Sequence, residues 1–130
     1  INLYSKEKIQ SDLPILPIGA ISQTLNIHQR TLRIYDKEGI LCPKRTSKNR
    51  RNYSLDDLEK AKLIMFLTRN LALNLAGVKI ILSMLEMSKV EPKDYVDYVA
   101  KVAKAAKIDT KAQEENIKKT SKRGRKTISD

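Results

Sequence analysis

Two short helical patterns joined by three residues restrict this chain more than any other feature. "IGAISQTL" (residues 18 to 25) places Ile18, Ile21 and Leu25 three and four apart, the spacing of one helix face. Pro14 and Pro17 precede it. Proline is excluded from a helix interior and tolerated at a helix start, so the segment before residue 17 is extended. Asn26 and Ile27 form a turn and His28 stands at the cap position. A second helix is expected over residues 29 to 38, with Leu32 and Tyr35 toward the first and Gly39 as its stop. Leu25, Ile27, Leu32, Ile34 and Ile40 are the candidate apolar contacts of the pair. This is a helix-turn-helix.

The second helix carries His28, Gln29 and Arg30 at its first turn and Arg33 and Tyr35 beyond. Next come Pro43, Lys44-Arg45, the turn-like "TSKN" and Arg50-Arg51, which read as a small basic hairpin, or wing. Between His28 and Tyr53 there are eight Arg/Lys and two acids, a net of +6 in 26 residues. The whole chain of 130 residues carries +11. Charge of that sign selects an anionic partner, nucleic acid first and an anionic membrane surface as the runner-up, and a helix tip beside a basic arm fits nucleic acid. The first-turn positions are those that meet base edges when a recognition helix lies in the major groove. Gln29 can pair with adenine, Arg30 can take guanine O6 and N7, and His28 can meet a base or phosphate. Arg45, Arg50 and Arg51 are expected to reach phosphates.

Downstream, Ser54 and Asp57 form a capping box. The helix they open is expected over residues 55 to 69, with Leu55, Leu58, Leu63, Ile64 and Leu67 as its stripe. Asn74 caps "LAGVKIILSMLEM", whose stripe is Leu75, Val78, Ile81 and Leu85. From Pro92 a further helix is expected to about residue 116, with a narrow apolar face. From Glu91 to Ile117 five lysines face six acids, a net of −1, whereas Lys118 to Lys126 holds six basic residues and reads as a disordered tail.

An enzyme is a poor competitor on residue types, and none is expected: there is one histidine, no Gly-rich phosphate loop, and no nucleophile with a base at workable spacing. One cysteine and one histidine cannot build a four-ligand zinc site or hold an iron–sulfur cluster, so no metal or cofactor is expected. Cys42 alone excludes a disulfide framework. No apolar run is long enough to cross a bilayer. The expectation is a cytoplasmic, nucleoid-associated chain with no membrane partner.

"TLRIYDKEGI", then Pro43, Arg45, Arg51, Tyr53 and "SLDDL", resembles the winged helix-turn-helix of the MerR family, which reads T-L-R-x-Y-(E/D)-x-x-G-(L/I), a proline, an arginine and R-x-Y-(S/T). A narrower resemblance is to the HspR heat-shock repressor branch, through "IHQRTLR" (27 to 33) and "NLAGVKIIL" (74 to 82). The branch has proline where Gln29 stands and usually glutamine where Arg30 stands. The resemblance implies a mainly α fold: a lead-in over residues 1 to 13, a winged helix-turn-helix over 14 to 88, a dimerisation helix over 91 to 117 and the basic tail over 118 to 130. It implies DNA-backbone contacts at Thr31, Arg33, Tyr35 and Tyr53, beside those of the wing arginines. It implies an antiparallel homodimer, for which the apolar spacing offers Tyr95, Val96, Val99, Val102, Ala103 and Ala106. It implies a repressor of stress genes of the heat-shock and chaperone class that binds an inverted-repeat operator as a dimer, with double-stranded DNA, a second copy and a chaperone as co-repressor for partners. An excisionase-like or architectural DNA-bending protein would share the helix–wing unit.

Overall fold

A computed structural model describes residues 10 to 110. The lead-in over residues 1 to 9, the end of the expected dimerisation helix over 111 to 117 and the tail over 118 to 130 lie outside the described residues. The chain divides into two units, one ending at Leu58 and the other beginning at Glu59. Within the described residues it is mainly α, with one small sheet.

In the first unit, β1 (Leu16–Pro17) leads directly into α1 (Ile18–Leu25). Asn26 closes α1 in the left-handed region at φ 55°. The Asn26 amide donates to the Gln23 carbonyl and the Ile27 amide to the Ser22 carbonyl, which satisfies carbonyls the helix end would otherwise orphan. The Ser22 hydroxyl donates to the Ile27 carbonyl at 2.6 Å, so the turn is fastened from both sides. α2 (Gln29–Lys37) follows. Gly39 at φ 74° ends it, and the amides of Gly39 and Ile40 donate to the carbonyls of Asp36 and Tyr35. Only a residue without Cβ takes that conformation without strain.

The wing is β2 (Lys44–Arg45) and β3 (Arg51–Tyr53), paired Lys44 to Asn52 and Arg45 to Arg51. It is more than a hairpin, because β1 pairs antiparallel with β3, Leu16 opposite Tyr53. The sheet order is β1-β3-β2. Asn52 Nδ2 adds a 2.6 Å bond to the Pro14 carbonyl. Ile21, Ile27, Leu32, Tyr35, Ile40, Leu41 and Tyr53 are buried in this unit. Ile34 is not with them: it is 39% exposed, a correction to its reading as a helix–helix contact. Leu32 and Tyr35 already occupy the inner face, and a helix turns Ile34 away from both.

α3 (Leu55–Met65) opens on the expected capping box, the Ser54 amide donating to Asp57 Oδ2 and the Asp57 amide to Ser54 Oγ, both at 3.0 Å. In the second unit it passes into a π-helical turn over Phe66–Asn70. The Thr68 hydroxyl donates to the Ile64 carbonyl at 2.9 Å, a competition for backbone acceptors that distorts helices. α4 (Leu75–Met87) begins as expected, Asn74 Oδ1 accepting from the Gly77 amide at 2.9 Å. A 3₁₀ turn at Pro92–Asp94 then leads into α5 (Tyr95–Ala105). Ala61, Leu63, Ile64, Leu67, Val78, Leu82, Leu85, Tyr95, Val99 and Ala103 are buried.

α5 corrects the sequence reading twice. It ends at Ala105, not near residue 116, because Lys107 turns left-handed at φ 62° and the Ile108 amide closes onto the Ala103 carbonyl. Its expected pairing face is also divided. Tyr95, Val99 and Ala103 are buried within the single chain, Val96 is half-buried, and Val102 and Ala106 are exposed. The residues at intervals of four form an inner face of the single chain.

Candidate nucleic-acid interface

The first unit brings the tip of α2, its outer face and the wing together as a basic surface. His28 caps α2 with extended backbone at φ −72° and ψ 144°, and its imidazole makes no capping bond. The positive end of the helix dipole is thus left for an anion. His28 and Arg30 are exposed, and Gln29 and Thr31 are half-buried. Gln29 is held on two sides. Its Oε1 accepts from Arg33 Nη2 at 3.0 Å, and its Nε2 lies beside Gly19, where a Cβ would stand 3.6 Å away. A bidentate grip on adenine needs both the amide oxygen and the amide nitrogen. The Arg33 bond takes one of the two lone pairs of that oxygen and leaves the other, with the amide donors, open.

Arg33, Ile34 and Lys37 continue the exposed side of α2. The helix spacing assigns Ile34 to the contact between the helices; the structure puts it on this exposed side instead, four positions after Arg30.

On the wing, Thr46 Oγ1 accepts from the amides of Lys48 and Arg50, and Asn49 takes φ 63°. That turn leaves Lys44, Arg45, Lys48 and Arg50 exposed. Arg51 is half-buried and donates through Nε to Asp36 Oδ2 at 2.9 Å, while Arg45 Nη2 approaches the same oxygen at 3.5 Å. Asp36 thus joins the last turn of α2 to the wing.

Two tyrosines were expected at the DNA backbone. Tyr35 is only 7% exposed and its ring belongs to the core, leaving little surface for a phosphate. Tyr53 is 0% exposed, which corrects its reading as a backbone contact. Its hydroxyl is buried without a hydrogen-bond partner among the described residues. Burial pushes its phenol up to about 12; Arg51 opposes that shift, and Asp36 and Asp57 add to it.

Tyr53→Phe therefore removes an unsatisfied polar atom and keeps the ring. Its stability at pH 7 is expected to equal the wild type or exceed it by about 1 kcal/mol. The folded pKa lies above the unfolded value near 10. The wild-type term is complete below pH 10 and is lost as pH rises toward 12, where the unfolded chain releases the proton first. Urea unfolding at pH 7 and across pH 10 to 12 checks this: the Phe variant should lose less stability on the alkaline side. A variant clearly less stable at pH 7 would mean the hydroxyl has a partner.

Among the described residues, no group of three or more His, Cys, Asp or Glu is placed to hold a metal ion. Likewise no helix among them is long and apolar enough to cross a membrane.

A family model described as MerR HTH family regulatory protein matches residues 16 to 85. The chain is 34% identical over 77 residues to a Streptomyces coelicolor protein named heat shock protein HspR with a provisional qualifier, an alignment covering 59% of this chain and 51% of that protein. It is 36% identical over 73 residues to the HTH-type transcriptional regulator GlnR of Bacillus anthracis, covering 56% of each. It is 32% identical over 80 residues to an HTH-type transcriptional regulator ZntR homolog of Haemophilus influenzae, covering 61% of this chain and 58% of that protein. The chain spans about half the length of the curated relatives it matches.

Proposed function

This chain belongs to the MerR helix-turn-helix family of regulatory proteins, and from that premise we propose that it binds double-stranded DNA as a homodimer and represses stress genes of the heat-shock and chaperone class. The observation that carries the DNA-binding reading is the basic surface of the first unit: Arg30 and Arg33 on α2, with Lys44, Arg45, Lys48 and Arg50 on the wing, all exposed. Family members are regulators and not enzymes. The stress-gene reading is supported by the likeness to HspR and by the "IHQRTLR" and "NLAGVKIIL" segments. GlnR and ZntR relatives stand at similar identity, so promoter choice belongs to experiment. A chaperone co-repressor remains part of this proposal.

One helix–wing module buries little surface on DNA. Two copies gain by effective concentration, because the second half-site binds as an intramolecular event. An inverted-repeat operator follows. With Tyr95, Val99 and Ala103 turned inward, the pairing surface we propose uses Tyr98 and Val102 on α5, 46% and 53% exposed.

Arg33 is the proposed phosphate contact on α2. Arg33→Ala is expected to weaken binding to every duplex and to make the slope of log K against log salt shallower by about one unit. Gel shifts across a salt series check this; an unchanged slope in a folded variant removes Arg33 from the phosphate set. The function itself is tested by genome-wide binding paired with transcripts of a deletion strain. Occupied chaperone promoters whose transcripts rise support repression. Occupancy spread away from promoters overturns it in favour of an architectural role.

A further inference from the structure

Asp36 lies where no base or phosphate is expected, yet it joins the two elements of the proposed DNA surface. Arg45 and Arg51 stand directly opposite each other across β2 and β3. Like charges so placed repel. One carboxylate oxygen meets both, Asp36 Oδ2 accepting from Arg51 Nε at 2.9 Å and from Arg45 Nη2 at 3.5 Å. The side chains of Asp36 and Arg51 are 19% and 22% exposed, so water competes less for this pair than for a surface pair.

The backbone that carries this carboxylate is held as well. The Asp36 carbonyl accepts from the Gly39 amide at 3.0 Å and from Cys42 Sγ at 3.7 Å, which fixes the last turn of α2. On the far side, Arg45 Nη1 donates to the Asn49 carbonyl at 3.2 Å. A continuous set of bonds therefore runs from the stop of the recognition helix to the turn of the wing.

We propose that Asp36 is a positioning residue that fixes the wing arginines relative to the recognition helix, and thereby sets discrimination between DNA sequences more than affinity for DNA. The proposal rests on the DNA-binding reading above. Contact with phosphates in general needs charge and no fixed geometry. Reading bases needs the helix in one register, and backbone contacts fix that register. Neutralising Asp36 releases two guanidiniums to any nearby phosphate and adds one net positive charge. Binding to arbitrary duplex then rises while the preference for one sequence falls. A residue that only stabilised the fold would lower both together, through the folded fraction.

The test uses the full chain. A preferred duplex is selected from a random-sequence library with the wild type. Dissociation constants are then measured on it and on a scrambled duplex of equal length and composition, across a salt series, for wild type, Asp36→Asn and Asp36→Glu. The expected result for Asp36→Asn is tighter binding to the scrambled duplex at low salt and a preference ratio reduced about tenfold, the scale of one lost base-pair discrimination. Asp36→Glu, which keeps the charge, restores most of the ratio. An unchanged ratio in Asp36→Asn overturns the proposal, as does an equal loss on both duplexes or a Glu variant that behaves like Asn. A wild type that selects no sequence overturns the DNA-reading function itself, and the proposal with it.

Discussion

Replacing Val99 with aspartate is expected to unfold the second unit, not to separate two folded copies. Val99 is 7% exposed and lies on α5 between Tyr95 and Ala103, which are 2% and 3% exposed. With Leu85 of α4 it lines an apolar groove that also includes Ile81, Met84, Tyr98 and Val102. A carboxylate at that point has no cation among the groove residues. An unpaired charge left buried costs about 3–5 kcal/mol, a large part of the whole stability of a small domain. Val102→Asp, three residues on, is the contrast. Val102 is 53% exposed, so its fold should change by no more than about 0.5 kcal/mol. At the proposed pairing surface, two copies of that carboxylate would oppose dimer formation. Urea melts followed by circular dichroism, with sedimentation of both variants, separate the cases. A Val99→Asp protein that melts like the wild type would put Val99 outside the core. A Val102→Asp protein that stays dimeric would put the pairing surface elsewhere.

Arg30→Ala is expected to cost about 1–3 kcal/mol on the preferred duplex and much less on a scrambled one. Arg30 is exposed on the first turn of α2 and makes no side-chain hydrogen bond or ion pair among the described residues. Its fork is therefore available for guanine O6 and N7. Gln29 is different, since Arg33 already bonds its amide oxygen, which an adenine would have to share or displace. Of the two adjacent candidates, the arginine is the one whose geometry is ready for bidentate reading. Competition binding with the selected and scrambled duplexes checks the assignment, and equal losses on both would make Arg30 a backbone contact.

What could be read from the sequence was whatever is decided within a few residues. Pro17, Asn26 and Gly39 bound the two short helices, and the Ser54–Asp57 box and Asn74 open the next two. In each case the deciding bond or backbone angle belongs to neighbours in the chain. What could not be read depends on partners far away. A two-residue strand has no alternation to recognise, so the β1–β3 pairing leaves no periodic trace. Amphipathic spacing shows that Tyr95, Val99 and Ala103 share a face; it does not say whether that face meets the same chain or another. The stop at Lys107 is hidden because lysine is an ordinary helix former and an unfavoured left-handed residue. Tyr53 stands beside three wing arginines in a motif of DNA contacts, yet its ring is needed inside. The role of Asp36 emerges only when the chain returns nine and fifteen residues later.

The sheet of the first unit also bears on the order in which the unit assembles. α1 and α2 meet across a three-residue connection, so their docking closes a very short loop. The β1–β3 ladder instead joins Leu16 to Tyr53, with both helices and the wing turn lying between. Chain entropy makes such a distant closure slow, and it is repaid only once the intervening elements are in place. The helix pair can therefore form ahead of the sheet. With strands only two and three residues long, the ladder is also a low-cost place for local opening in the native state. The helix pair is thus expected to form early and to hold, and the basic arm beside it to close late and open readily, a difference that hydrogen exchange of the α2 and β3 amides would read.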